Sequence, residues 1–466
     1  YLNILEMEFT MKKPLAAFLL MFVLLVSLVG CGEQVQTSSN TSAENGITIR
    51  CFGGDSSSVI ADYNYFSPTS NQITILETPI LEETQDANEQ QYLELLTQQT
   101  ADIYIFSTDY IGIFYSLLNT DFFLDLNPLI EQSTINLEDY QSMVMDTGIK
   151  GEKRLFLPIS YEINMFTITT QQLEEYGIQK DDIDLRYDNW EENEKLLFKA
   201  FPGKPAFLFS SDSLIFHRMV SSKYLDEMEK RANFLSPDFP KELHSYLEYT
   251  ADHPENKQET SLGISNEILD KELQEYLQQQ MDYQKNILFN QSFDGNAMTA
   301  ALLTRSSRYN NGQEARFFSI KDAGSNTYRS YANCLFAINK KCKNPQEAFS
   351  VAEFLLSEEY QRGDYFANLN CNLGGLPVHI RAQEQMFENA KKTILLQDSR
   401  MAGLLEDYTE IVANTTSCGL LMDTRFIEKI FVPMLEDYRE GLISEQDFYN
   451  RLDTKSTLFL MERWIN

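Results

Sequence analysis

The chain has 466 residues, 43% of them hydrophobic, and sets 38 Lys plus Arg against 69 Asp plus Glu, a formal net charge of −31. A nucleic-acid binder needs a basic footprint to replace phosphate counterions; no Lys/Arg cluster here supplies one, so nucleic acid is excluded as a partner. The same balance disfavours a strongly anionic ligand, while the length calls for two or three domains.

Met11-Lys12-Lys13 opens a cationic segment, and residues 14–30 form an apolar run of 17 residues. That is shorter than the ~20 residues that span a bilayer and has the design of a secretory signal peptide. Leu28-Val29-Gly30-Cys31 resembles a bacterial lipobox, which implies acylation of the Cys31 thiol and removal of what precedes it. An uncleaved anchor with an incidental cysteine is the competing reading. Met11 reads as the start, leaving residues 1–10 outside the fold. The polar stretch after Cys31, up to Gly46, cannot bury enough surface to offset its ordering entropy and reads as a flexible tether.

Ile47-Thr48-Ile49-Arg50-Cys51-Phe52 predicts a strand, followed by the glycine- and serine-rich turn Gly53-Gly54-Asp55-Ser56-Ser57-Ser58. A helix is expected near 59–65 and a second strand over 72–77. Tyr92, Leu95 and Leu96 mark one face of a helix over 90–100. Ala101-Asp102-Ile103-Tyr104-Ile105-Phe106 predicts a third strand ending at Ser107-Thr108-Asp109-Tyr110, and a turn with a short helix is expected over 118–130. Strands alternating with helices predict an α/β fold with a parallel sheet, whose ligands bind in loops at the carboxyl ends of strands. Asp55 and Asp109 stand in such loops, although either alone reads equally as a helix N-cap. Further on, Asn344-Pro345-Gln346-Glu347 reads as an N-cap, a proline in the first turn and a capping box, with Ala348, Val351, Ala352 and Leu355 as the buried face of a helix.

Five passages, in order, resemble the family 1 extracellular solute-binding proteins of ABC transporters. They are Thr100-Ala101-Asp102-Ile103-Tyr104-Ile105-Phe106; Phe123-Leu124-Asp125-Leu126-Asn127-Pro128-Leu129-Ile130; Leu157-Pro158-Ile159-Ser160-Tyr161-Glu162 running on to Gly177-Ile178; Asp188-Asn189-Trp190-Glu191-Glu192; and residues 336–357 with the Gly374-Gly375-Leu376-Pro377-Val378 turn. The third departs from the family pattern at Thr167-Ile168-Thr169. The resemblance spans about 47–460. It implies a two-lobed α/β fold of the type II periplasmic-binding-protein kind, with a hinge and a ligand cleft. Lobe 1 is then expected to comprise 47–160 plus 302–340, and lobe 2 161–301 plus 341–466, with residues 1–30 as upstream and signal segment and 31–46 as lipidated Cys and tether. The chain crossings are expected near 159–164, 302–305 and 339–345.

The ligand-binding residues this implies are Asp55, Ser56, Phe106, Thr108, Asp109, Tyr161, Glu162, Ser211, Asp212 and Tyr309, with Phe209 and Phe216 beside them; Glu162 falls where members of the family carry a cleft glutamate. Carboxylates that accept hydroxyl hydrogen bonds and aromatic faces that pack on pyranose C–H groups suit a polyhydroxylated ligand. Read without the resemblance, Phe106 and Phe209 fit a core equally well, and Glu162 fits an ion pair. Only Trp190 and Trp464 occur, neither an obvious platform, which leaves a peptide or polyamine as alternatives to a sugar.

The expected partners are a small solute, transporter membrane subunits and, through the Cys31 lipid, the outer face of a membrane; the family default is a monomer. A surface sensor or adhesin with the same fold is the alternative role. No enzyme is expected: the sequence has no G-x-S-x-G, H-E-x-x-H or P-loop. The four His are scattered and no CxxC occurs, so neither metal nor cofactor is expected. Besides Cys31 there are Cys51, Cys334, Cys342, Cys371 and Cys418; a Cys371–Cys418 bridge between two turn-like segments stands against unpaired thiols.

Overall fold

The computed structural model describes residues 46–52, 63–65, 73–76, 96, 98, 100–107, 110–118, 120–175, 177–186, 223–252, 290–294, 314–322, 324–362, 375–397 and 402–462. The expected strands form: β1 is Thr48–Phe52, β2 Thr74–Leu76 and β3 Ile103–Phe106. They are parallel, with Thr48 opposite Thr74 and Ile49 opposite Ile103. Helix α1, Ile111–Leu118, has no counterpart among the sequence expectations. Seven of its eight residues are buried, and a helix wetted on no side shows no amphipathic period.

The long strand β4, Leu157–Thr169, carries the chain away from the region of β1–β3. Downstream come helix α2 (Asp238–Asp252), β5 (Asn290–Asp294), β6 (Ala315–Phe318) and β7 (Tyr328–Ile338). Then follow α3 (Pro345–Leu356), the two-residue β8 (Leu376–Pro377), α4 (Ile380–Gln397), α5 (Ala402–Ala413), β9 (Thr415–Gly419), α6 (Val432–Arg439) and α7 (Glu445–Glu462). These nine strands make one mixed sheet in which β7 lies between β4 and β3, antiparallel to both. The far end of β4 is flanked by β5 and β6.

Buried side chains fall into two cores. The first takes β1–β3, α1, the first part of β4, and Ala348, Val351, Leu355, Leu404, Tyr408 and Ile411. The second takes Ile168, Ile178, Ile183, Tyr224, Phe234, Phe239, Phe318, Met422, Phe431 and Phe448. Along the chain the core changes between Met165 and Ile168 and between Leu420 and Met422, while the stretch through β6 serves both: Ala315 and Phe317 lie in the first core, Phe318 and Ile320 in the second.

Ile163 and Met165, at and beyond the expected first crossing, still pack in the first core, as do α3 and the strand Leu376–Pro377 beyond the expected third crossing. The expected second crossing, 302–305, lies outside the described residues. The capping box at Asn344 and Glu347 does not form, since Asn344 makes no side-chain cap bond; Pro345 does occupy the first turn, and the predicted apolar face of α3 is buried.

Candidate functional site

Strand β4 carries Tyr161 and Glu162 a few residues before its change of core, and a set of buried amides fixes it there. A two-residue strand such as β8 satisfies little of its neighbour's backbone, so side chains that both donate and accept complete the work. Gln361 donates from Nε2 to the Ile159 carbonyl at 3.1 Å and to the Leu355 carbonyl at 2.7 Å, while its Oε1 accepts from the Val378 amide at 2.8 Å. Gln383 donates to the Tyr161 hydroxyl at 2.6 Å and accepts from Gln141 Nε2 at 3.1 Å. Tyr161 is 0% exposed, and burial raises its hydroxyl pKa. Gly375, at φ +130°, lies so close to β4 that a Cβ there would come within 2.5 Å of the Tyr161 carbonyl oxygen.

Glu162 is 5% exposed. It lies near Cys418 on β9, whose thiol is pushed up to about 12 chiefly by burial, with Glu162 adding to the rise. Cys418 is a free thiol; its expected partner, Cys371, lies outside the described residues. Cys334 and Cys342 are free thiols as well.

Strand β7 pairs with β9 over 328–331 and with β3 over 335–338. Between those partners Cys334 adopts φ +46°, and its amide bonds the Asn333 side-chain oxygen at 2.9 Å. Because β9 is parallel and β3 antiparallel to β7, their carboxyl ends point toward one another at this switch. Strand β1 ends there too, since Phe52 is opposite Phe106. The Ser107 amide donates to the Phe52 carbonyl at 2.8 Å, and the Ser107 hydroxyl is buried without a partner. Tyr115 on α1 donates to the Leu421 carbonyl at 2.8 Å, tying the chain after β3 to the change of core between Leu420 and Met422. Convergent carboxyl ends at a change in strand order are where open α/β sheets hold ligands.

Of the residues expected in a site, Phe106, Tyr161 and Glu162 are described. The Phe106 ring is 0% exposed and stacked on Phe52 at 5.0 Å, with Tyr104, Phe114 and Phe123 around it. In this arrangement it packs as core, the alternative its apolar strand had left open. Asp55, Ser56, Thr108, Asp109, Ser211, Asp212 and Tyr309 lie outside the described residues, as do Phe209, Phe216 and Cys31.

A separate groove of about 710 Å³ is lined by Asp146, Thr147, Asp226, Glu229, Asp238, Asp322, Arg329 and residues 417–420. Arg329 is paired with Asp322 at 2.7 Å. Phe106, Tyr161 and Glu162 take no part in its lining. Sequence reading missed it because its walls come from four remote segments, none of which carries a motif. Among the described residues, no group of three or more His, Cys, Asp or Glu side chains is arranged to hold a metal ion. No helix among them is long and apolar enough to cross a membrane.

Two cores along one mixed sheet, with strand ends converging where β7 changes partner, make the two-lobed α/β fold of the periplasmic binding proteins. Solved structures with this fold include sugar- and oligosaccharide-binding proteins and a family 1 extracellular solute-binding protein. The cyclic alpha-maltosyl-1,6-maltose binding protein of Arthrobacter globiformis superposes with a TM-score of 0.60 at 12% identity, covering 90% of this chain and 99% of that one. The sugar-binding protein MalE of Xanthomonas citri gives 0.58 at 15% identity over 90% and 98%. A family 1 extracellular solute-binding protein of Alicyclobacillus acidocaldarius gives 0.54 at 14% over 89% and 98%. The sequence itself matches no protein-family model and no curated protein.

Proposed function

We propose that this protein is the extracytoplasmic substrate-binding component of an ABC importer, holding a sugar or oligosaccharide between its lobes and delivering it to the membrane subunits. The observation that carries the reading is the full-length likeness, over about nine-tenths of the chain, to proteins that bind such solutes. The chemistry of the expected cleft agrees with it: Asp55, Asp109, Glu162 and Asp212 accept hydroxyl hydrogen bonds, while Tyr309 offers a face for a pyranose ring. Acylated Cys31 and the tether up to Gly46 keep the body at the outer face of the membrane. The protein acts by binding and catalyses no reaction. A solute that touches both lobes favours the closed form, and that form is what the membrane subunits recognise.

A thermal-shift screen against oligosaccharides, peptides and polyamines tests this. A solute at a hundred times its Kd adds about 2.7 kcal/mol to the native state, so a true cargo raises the melting temperature by several degrees. A response to one glycan class supports the reading. A response to polyamines or peptides alone keeps capture and overturns the sugar. Silence throughout favours a sensor or adhesin on the same fold.

A further inference from the structure

The carboxyl end of β3 leaves one polar group over. The Ser107 amide donates to the Phe52 carbonyl at 2.8 Å, and the Ser107 carbonyl accepts from the Tyr110 amide at 3.1 Å. The Ser107 hydroxyl, by contrast, is buried and has no hydrogen-bond partner within the protein. Buried hydroxyls are nearly always paired, because an unpaired one forfeits the bonds it made in water.

The neighbouring strand explains why the fold does not meet it. Leu335 on β7 is opposite Phe106, so one step further the antiparallel ladder would set Cys334 against Ser107. Instead Cys334 turns to φ +46°, and the Asn333 side-chain oxygen takes its amide at 2.9 Å. A left-handed backbone is uncommon for a residue that carries a side chain, and it persists only where the surroundings impose it. Strand β7 therefore leaves β3 at the step where Ser107 would need it. The outlier and the orphaned hydroxyl stand together, at the switch where the carboxyl ends of β1, β3 and β9 converge.

We propose that the Ser107 hydroxyl is a solute-contacting group that takes its missing partner from one hydroxyl of a bound glycan. The inference rests on the capture reading and narrows it to a single atom. A serine hydroxyl both donates and accepts, so it matches a sugar hydroxyl in either sense. It also discriminates, because a solute with no polar group at that place leaves the serine buried and unpaired.

The test uses the full chain and two readouts of opposite sign. A serine that serves the fold loses stability on Ser107→Ala, and binding is left alone. A serine that serves the solute does the reverse. Removing an unpaired buried hydroxyl leaves the urea midpoint of the solute-free protein unchanged or higher. Calorimetric titrations with maltotriose, mannotriose and spermidine then show a Kd roughly three- to tenfold weaker for the trisaccharide that binds wild type. A lowered midpoint, or a trisaccharide Kd unchanged from wild type, overturns the role and leaves the capture reading standing. A wild type that binds spermidine alone, or none of the three, overturns the role together with the sugar.

Discussion

Replacing Gly375 with Ala presses directly on the strand that runs from the first core to the second. Two costs combine. At φ +130° a side chain pays roughly 1–3 kcal/mol in backbone strain. The added methyl also meets the Tyr161 carbonyl oxygen at 2.5 Å and the Ser160 Cβ at 3.3 Å, whereas carbon and oxygen rest about 3.3–3.6 Å apart. The strand must therefore yield by roughly 0.8 Å. Tyr161 has no room to retreat, because its ring is fully buried and its hydroxyl is held by Gln383. Overpacking of this kind costs about 1–3 kcal/mol, for a sum near 4 kcal/mol. At about 2–4 °C per kcal/mol, the melting temperature falls by roughly 8–16 °C. Gly441→Ala is the control: its φ is +72° and nothing lies within 4 Å of the new Cβ, so only the left-handed backbone cost of about 1 kcal/mol applies. Differential scanning calorimetry on both variants decides. A Gly375→Ala loss no larger than that of Gly441→Ala refutes the claim that this glycine is required by its approach to β4.

Asp407→Ala strips Arg316 and Lys180 of their shared partner and should cost about 3–5 kcal/mol, read from urea unfolding. Glu242 on α2 is almost fully buried; burial raises its pKa more than paired Lys223 lowers it. Between the unfolded and folded values the native state holds a proton that the unfolded chain has lost, so stability declines as pH rises through that window. Glu242→Gln should flatten the decline, and urea midpoints measured from pH 4 to pH 7 would show it; an unchanged slope would remove Glu242 as its source. Cys31→Ser should abolish metabolic palmitate labelling and release the protein into the medium, as membrane fractionation would report; retention with the membrane would favour an uncleaved anchor.

Short, regular features were legible in the sequence. The alternating runs at Ile49 and Ile103 became parallel strands, and Ala348, Val351, Ala352 and Leu355 became the buried face of α3. Where the chain crosses was harder to read, because β4 is equally apolar on both sides of the joint. Only packing reveals that Met165 faces one core and Ile168 the other. At the site, Phe106 illustrates the limit of apolar pattern, since a strand-end phenylalanine serves a core and a sugar platform with the same residues around it. The Lys180–Asp407 contact joins residues 227 positions apart, which no local spacing signals.

The position of β7 in the sheet also bears on when the protein acquires its shape. The first core needs Tyr328–Ile338 between β3 and β4, so its sheet lacks a middle strand until ~220 further residues have followed Phe106. At about 5–20 residues per second, synthesis of that stretch takes roughly 10–45 s, during which β3 has an open edge and no stable half can close. If the protein is exported as proposed above, late completion is an advantage: the polypeptide reaches the export channel before it can fold.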